Sequence, residues 1–227
     1  MGLLATAWLL ALGVSESLAA NNPGVLKPSQ RQYYGQTYGE WVVSYWQWAW
    51  SIPSASNPWA NDPDGSFAAN GQSGPVWFLG GTLGDTVTRS ITIPADKAIF
   101  VPVQQWIFGA VAFDCEPSNP GVVCDVHSLR KAAADATKAV DTMEVLIDGV
   151  SVNDLGDYRV KSPSTFSVTV PEDNLSSVPA GTHSPQVADG YYLLLSPLSA
   201  GSHTISVHVV STLGFEYDNI YNLTISP

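Results

Sequence analysis

The sequence has few basic residues. Nine Lys and Arg stand against twenty Asp and Glu among 227 residues, which gives a formal net charge of −11. Nucleic acids and anionic membranes are bound largely through Lys and Arg contacts, so this composition argues against both as partners. The acidity itself is compatible with solubility, with cation binding and with tolerance of salt or acid.

Cysteine is scarce as well. The two cysteines, Cys115 and Cys124, lie in a segment rich in Pro, Gly and Asn. A zinc site would need at least two further ligands at suitable spacing, and that pattern is missing. In an exported chain an isolated pair is typical of one disulfide. Closing so short a loop would contribute about 2–3 kcal/mol on the chain-entropy model.

Long apolar runs are missing except near the N-terminus. The run Leu3–Val14 has the length of a signal-peptide core and is too short to span a bilayer. Ser17 and Ala19 are the small residues that signal peptidase requires, so we expect a signal peptide over 1–19 and a single mature domain over 20–227. No Lys or Arg precedes the run, which leaves an N-terminal strand or an uncleaved anchor as alternatives. We therefore expect a secreted, periplasmic or surface protein with no stable membrane insertion after cleavage.

What the sequence has in excess is tryptophan, and four of its eight Trp residues lie in the segment TYGEWVVSYWQWAWSIP. Polar side chains recur there at helical spacing and form one narrow stripe: Glu40, Ser44, Gln47 and Ser51. Thr37 and Glu40 fit a capping box, and Pro53 would end the helix. The pattern predicts a helix over about 38–52 that is buried on most of its circumference.

The rest of the chain has the pattern of short strands separated by turns. Predicted strands cover 75–79, 86–93, 98–108, 165–170, 190–195, 202–211 and 219–226. Asp148-Gly149 between two apolar runs indicates a hairpin over Met143–Val152. A second short helix is predicted over about 128–140, with Ser128 or Asp125 as its cap. Strands at this spacing indicate a mainly β protein, a single-domain β-sandwich or jelly roll.

Three stretches carry a resemblance to known sequences: EWVVSYWQWAWSIP, GQSGPVWFLGGT with VTRSITIPADKAIFVPV, and ADGYYLLLSPLSAGSHTI. Through them the mature chain resembles a group of uncharacterised secreted bacterial proteins with a Trp-rich N-terminal helix and a β-sandwich. The segment PLSAGSHTISVHVV also resembles the strand-entry pattern of immunoglobulin-like bacterial sandwich domains. The resemblance implies export and one compact domain, and no activity is attached to it.

The tryptophans allow two interpretations. Large aromatic side chains are ordinary core material, so the aromatic helix is expected to pack against a sheet. Alternatively, some rings form a sugar-stacking platform or line a cleft, with Trp46, Trp50, Trp59 and Trp77 as the candidate ligand-binding residues.

Arg89 also allows two interpretations, because in its predicted strand it points with the apolar residues. It would be paired at the end of the sheet or be part of a site.

The segment Asn61-Asp62-Pro63-Asp64-Gly65 resembles the start of a calcium loop, with Asp62 and Asp64 as oxygen ligands. A full EF-hand loop counted from Asp62 would place its bidentate carboxylate at Ser73, which cannot supply it. Ca²⁺ or another divalent metal is therefore one interpretation of the segment. An Asp-Pro-Asp-Gly turn is the other.

Charged residues flank both cysteines. Asp114 and Glu116 surround Cys115, while Asp125 and His127 follow Cys124. If the disulfide forms, these groups share one small neighbourhood, where Glu116, Asp125 and His127 could serve as general acid and base or bind a metal. The alternative is an exposed acidic loop whose charged side chains only keep it solvated and have no catalytic or metal-binding role.

These observations favour an extracellular binding or structural protein. Carbohydrate is the favoured ligand class, because exposed Trp and Tyr faces stack on sugar rings. One alternative is a hydrolase or lyase acting on polysaccharide, metal-assisted or not, which would use Glu116, Asp125 and His127. Another is a subunit of a surface filament or coat.

Overall fold

The computed structural model describes residues 23–29, 31–82, 84–111 and 125–227. These residues form two α-helices, α1 (Tyr38–Ser51) and α2 (Val126–Lys138). The first strands are β1 (Val25–Leu26), β2 (Val76–Phe78), β3 (Val87–Pro94), β4 (Ala98–Gly109), β5 (Val140–Ile147) and β6 (Val150–Ser151). The later strands are β7 (Arg159–Lys161), β8 (Phe166–Val170), β9 (Gly181–Leu195), β10 (Gly201–Ser211) and β11 (Glu216–Ser226).

The strands form two sheets, which confirms the mainly β prediction and is consistent with a β-sandwich. One sheet has the order β1-β9-β4-β2, with β7 and β8 also paired to β9. The other has the order β3-β11-β10-β5-β6. The long strand β9 is antiparallel to β4, with Leu193 opposite Val101, and β11 is parallel to β3, with Tyr221 opposite Arg89.

Most of strand β4 and the second half of β9 are buried on both faces. Leu193 and Val101 belong to one core cluster with Val207 and Tyr221 of the second sheet. The alternate residues of these strands point to the opposite face. There Phe100 and Tyr192 belong to a second core cluster, which includes residues of helix α1. Side chains alternate across a strand, so a strand covered on both faces has a continuous apolar sequence.

Helix α1 confirms the predicted aromatic helix. Its N-terminus has the capping box, in which the Glu40 carboxylate accepts from the Thr37 backbone N–H over 2.7 Å. The helix ends just before Ile52 and Pro53, as a proline requires. Buried aromatic rings cover most of its surface, which confirms that a large part of the tryptophan content is core.

Helix α2 begins two residues earlier than predicted, because Asp125 is its cap. The Asp125 carboxylate accepts from the Ser128 backbone N–H over 3.1 Å.

Strand β9 begins nine residues before its predicted start at 190. The first half of the strand was missed because it is polar, contains Pro185 and therefore lacks a strand pattern. Among the described residues, no helix is long and apolar enough to cross a membrane.

Candidate ligand-binding cleft

A cleft of about 350 Å³ lies between the C-terminal half of α1, strand β4 and the turn that joins β10 to β11. Six aromatic residues line it: Trp46, Trp50, Trp59, Trp106, Phe215 and Tyr217. Polar lining is supplied by Thr82, Gln104, Gln105 and Ser176. The volume is near the lower end of the range for small-molecule clefts, about 300–1,000 Å³.

One wall of the cleft is a triangle of three tryptophans. Trp46 and Trp50 are four residues apart on α1 and so lie on one face of the helix, while Trp59 comes from the loop that follows. Their ring centroids are 5.2 Å (Trp46–Trp50), 5.3 Å (Trp50–Trp59) and 5.6 Å (Trp46–Trp59) apart. The Trp46 Nε1–H donates to the Tyr192 hydroxyl over 3.1 Å, which fixes the triangle on the sheet.

The facing wall contains Trp106, Phe215 and Tyr217. The Trp106 and Phe215 centroids are 6.0 Å apart, and Phe215 and Tyr217 stack with planes only 12° apart. The Tyr217 hydroxyl donates to the Val103 carbonyl over 2.6 Å, and burial raises the pKa of this hydroxyl well above its usual range. Trp106 and Phe215 are only half-buried, so their rings are the most accessible aromatic surfaces of the cleft.

The polar lining comes from an irregularity in β4. The pairing of β4 with β9 shifts register between Pro102 and Gln104. Such bulges re-aim side chains, and here the consecutive residues Gln104 and Gln105 both line the cleft. The Gln104 amide nitrogen donates to the Ala136 carbonyl of α2 over 3.3 Å, which holds that side chain in place.

Several buried polar atoms of the lining residues have no hydrogen-bond partner among the described residues. Three are indole donors and two are amide acceptors: Nε1 of Trp50, Trp59 and Trp106, and Oε1 of Gln104 and Gln105. A buried donor or acceptor left unsatisfied costs about 1–3 kcal/mol. Native proteins contain few such groups. Of the nine found in the described part of the chain, these five belong to side chains that line the cleft.

Gly81 lies against the same wall. A Cβ at this position would be 2.3 Å from Gln105 Nε2 and 2.8 Å from Trp59 Nε1. The Gly81 carbonyl accepts from Arg89 Nη2 over 2.8 Å. The absence of a side chain at Gly81 therefore allows both Gln105 and Trp59 to pack directly against the loop.

Three of the four candidate tryptophans come together in this cleft. Trp77 does not, because β2 is buried on both sides and Trp77 packs in the core between the sheets. Trp106, Phe215 and Tyr217 were not predicted. The one sequence signal for Trp106 is its position after two glutamines in an otherwise apolar strand.

Asp62 and Asp64 form a hydrogen-bonded turn. The buried Asp62 Oδ1 accepts from the backbone N–H groups of Gly65 and Phe67 at 2.9 and 3.2 Å. The exposed Asp64 accepts from the Ser66 N–H over 3.0 Å, a bond that lowers the pKa of its carboxyl group. In the described ranges, no group of three or more His, Cys, Asp or Glu residues could hold a metal ion.

The predicted acid–base cluster is only partly within the described residues. Asp125 and His127 are exposed at the start of α2, where hydrogen bonds from Ser128 lower the pKa of the Asp125 carboxyl group. Glu116, Cys115 and Cys124 lie outside the described residues, as do residues 1–19. The disulfide, the cluster and the signal peptide stay predictions.

A Ser–His–Asp arrangement occurs elsewhere, between the turns that precede β6 and β10. His203 Nδ1 is 2.7 Å from Asp148 Oδ2, and its Nε2 is 3.3 Å from Ser199 Oγ. The same Nε2 is 2.9 Å from the Ser199 carbonyl oxygen, which can only accept. Both ring nitrogens therefore donate, and the Asp148 carboxylate raises the pKa of His203. Because Nε2 has to donate to the Ser199 carbonyl oxygen, it is not placed to take a proton from the Ser199 hydroxyl, and the arrangement fastens the two turns together.

The cleft thus combines two aromatic walls with unpaired donors and acceptors, and its described lining contains no charged side chain. This arrangement is suited to holding a neutral ligand with polar groups on its rim. Comparison of the chain with protein-family models, with curated proteins and with solved structures gives no match.

Proposed function

We propose that the protein is an exported binding protein whose aromatic cleft takes a small neutral carbohydrate. The observation that carries the proposal is the set of five unpaired polar atoms on residues that line an aromatic cleft. A purely apolar ligand would leave all of them unsatisfied. A ligand with hydroxyl groups can pair those that it reaches.

Sugars match both features of the lining. A pyranose ring has C–H faces that pack on aromatic rings, and Trp106 and Phe215 are the accessible rings. Its hydroxyl groups both donate and accept, so they can pair with the indole N–H of Trp50 or Trp59 and with the side-chain oxygen of Gln105. The uncharged lining favours a neutral sugar over a sugar acid, because a buried unpaired charge is costly.

The size of the cleft limits the ligand. About 350 Å³ is room for roughly one or two sugar units rather than for a long chain. Trp50 and Trp59 are only 6% and 7% exposed, so they form the inner end of a closed site and not a flat platform. We therefore expect recognition of a monosaccharide, a disaccharide or a chain end.

The described lining gives less support to a polysaccharide hydrolase or lyase. Glycoside hydrolysis ordinarily uses two carboxyl groups that flank the scissile bond, and the described lining residues include none. A surface filament or coat subunit stays a prediction, which light scattering over a range of protein concentrations would test.

Calorimetric titration of the purified protein with a panel of neutral mono- and disaccharides tests the proposal. We expect saturable binding of one ligand per chain and at least tenfold weaker binding for Trp106→Ala, because a stacking surface and a donor are lost together. Gln105→Leu should also weaken binding, since it removes an acceptor. Tyr34→Ala, at an exposed aromatic residue outside the cleft, is the matched control.

Two results would overturn the proposal. One is that no neutral sugar binds saturably to the folded protein. The other is that Trp106→Ala and Tyr34→Ala bind the same sugar equally well.

A further inference from the structure

A second pocket, of about 360 Å³, lies between α2 and strands β7 and β9. Arg130, Arg159 and Lys161 line it, together with Asp189 and three alanines. The chain has only nine basic residues in all, so a third of them surround one pocket of an acidic protein. We propose that this pocket binds a small oxyanion, a carboxylate or a phosphate.

The two arginines of the pocket have N–H donors that make no hydrogen bond within the described residues. Arg159 uses Nε and Nη2 on the Asp189 carboxylate at 2.9 and 2.8 Å, and Nη2 also donates to the Ala134 carbonyl over 3.2 Å. Its Nη1 has no partner among the described residues. Among the described residues, Arg130 donates only through Nη1, to the Ser162 carbonyl over 2.9 Å and to the Ser162 hydroxyl over 3.4 Å. A guanidinium carries five N–H donors, so both arginines retain free ones.

The Lys161 ammonium is also available. It has no hydrogen-bond or ion-pair partner in the described part of the chain, whereas Lys131 on the outer face of α2 is paired with Asp135. An ammonium supplies three donors. The pocket therefore presents unused N–H groups from three side chains.

The charge of the pocket is positive after internal pairing. Asp189 neutralises one of the three cations, which leaves a net charge of +2 from Arg130 and Lys161. At physiological ionic strength the Debye length is about 8 Å, so distant acidic side chains do not cancel this local charge. Arginine also fits carboxylate and phosphate oxygens in a bidentate manner, which adds geometric preference to the charge.

The surrounding structure is held by hydrogen bonds and leaves space. Ala133 and Ala134 of α2 face Ala188 of β9, and these short side chains create the volume between the helix and the sheet. The buried Ser162 accepts the Ala188 N–H through its hydroxyl over 3.1 Å and donates its own N–H to the Ala188 carbonyl over 2.9 Å. Arg130 is thus anchored to a fixed backbone, as a preorganised binding group needs to be.

Calorimetric titration of the full chain with inorganic phosphate and with succinate, at constant ionic strength set with NaCl, tests the proposal. Neutral succinamide is the control ligand. We expect saturable binding of one anion per chain, about tenfold weaker in Arg130→Gln and in Lys161→Gln, because each variant loses a charge-assisted hydrogen bond. A preference for phosphate or for succinate identifies which of the two oxyanion classes the pocket takes.

Lys131→Gln is the matched control, since it removes the same charge from the next residue of α2, where the side chain is 70% exposed. It should leave anion binding unchanged, and so should Trp106→Ala in the aromatic cleft. The proposal is overturned if neither anion binds saturably, if succinamide binds as well as succinate, or if Lys131→Gln weakens binding as much as Arg130→Gln.

Discussion

The guanidinium of Arg89 donates through Nη1 to the backbone carbonyl of Gly80 over 2.8 Å, deep inside the protein. Its other nitrogens donate to the carbonyls of Asp62 over 2.6 Å and Gly81 over 2.8 Å. The Tyr221 hydroxyl also donates to Gly80, over 2.7 Å. Arg89 is therefore the residue that ties two loops to the sheet, and one of these loops borders the aromatic cleft.

Replacement of Arg89 by Met should destabilise the protein by about 3 kcal/mol or more, because three buried carbonyl groups lose donors. Urea unfolding followed by circular dichroism measures the loss. Arg31→Met, at an exposed arginine, is the control. A loss below about 1 kcal/mol for Arg89→Met would contradict this role, since surface substitutions commonly have effects of that size or less.

Gly81→Ala adds only one methyl group, but it should impair ligand binding strongly. The added methyl group would push on Gln105 and on the Trp59 indole, two parts of the cleft lining. We expect at least tenfold weaker sugar binding and a stability loss of about 1–3 kcal/mol from overpacking. Gly156→Ala adds a methyl group where nothing lies within 4 Å, and it should change neither quantity.

Substitution of Asp125 tests its role as the N-cap of α2. Asp125→Ala should destabilise the protein by about 1 kcal/mol, while Asp125→Asn should cost little, because asparagine is an equally good helix cap. Thermal or urea unfolding gives both values. Equal losses for the two variants would show that the hydrogen bond to Ser128 does not support α2.

The His203–Asp148 pair should make stability depend on pH. The folded-state pKa of His203 is raised, so its contribution is complete below the unfolded value of about 6.5 and is lost as pH rises through the folded pKa. Burial acts to raise the pKa of Asp148, but His203 and the Thr204 N–H together outweigh it and lower the folded-state pKa. The contribution of Asp148 is therefore present above about 3.9 and is lost as pH falls through the folded pKa. The pair therefore stabilises the fold most between about pH 4 and 6.5.

We expect His203→Gln to lower the free energy of unfolding by up to about 1 kcal/mol at pH 5, as for other exposed pairs, and by less at pH 9. Urea unfolding at the two pH values measures this difference. His127→Gln, at an exposed histidine, controls for the loss of a titrating side chain. A larger effect of His203→Gln at pH 9 than at pH 5 would reverse the predicted sign.

Local signals explain what could be predicted from the sequence. The capping box of Thr37 and Glu40 and the stop at Pro53 define α1 from within one segment, and the alternation of short apolar runs defines the sandwich strands. The short strands β1 and β7 lack such a signal, since they contain only two and three residues and are held by pairing with β9.

The cleft was harder to predict because it depends on distant segments. Trp50, Trp106 and Phe215 are far apart in the chain and meet only through the pairing of the sheets. It is equally hard to tell from the sequence whether a buried aromatic side chain packs in the core or lines the cleft. Trp77 and Trp59 are both almost fully buried tryptophans, yet Trp77 packs between the sheets and Trp59 lines the cleft.

Fluorine NMR of protein labelled with 5-fluorotryptophan, titrated with the neutral sugars, tests the central claim most directly. Single Trp→Phe variants assign the resonances. We predict saturable shifts for Trp50, Trp59 and Trp106, and an unmoved resonance for the core residue Trp77. A ligand that shifts Trp77 and leaves Trp106 unchanged, or a panel of sugars that shifts none of the resonances, would contradict carbohydrate binding in the cleft.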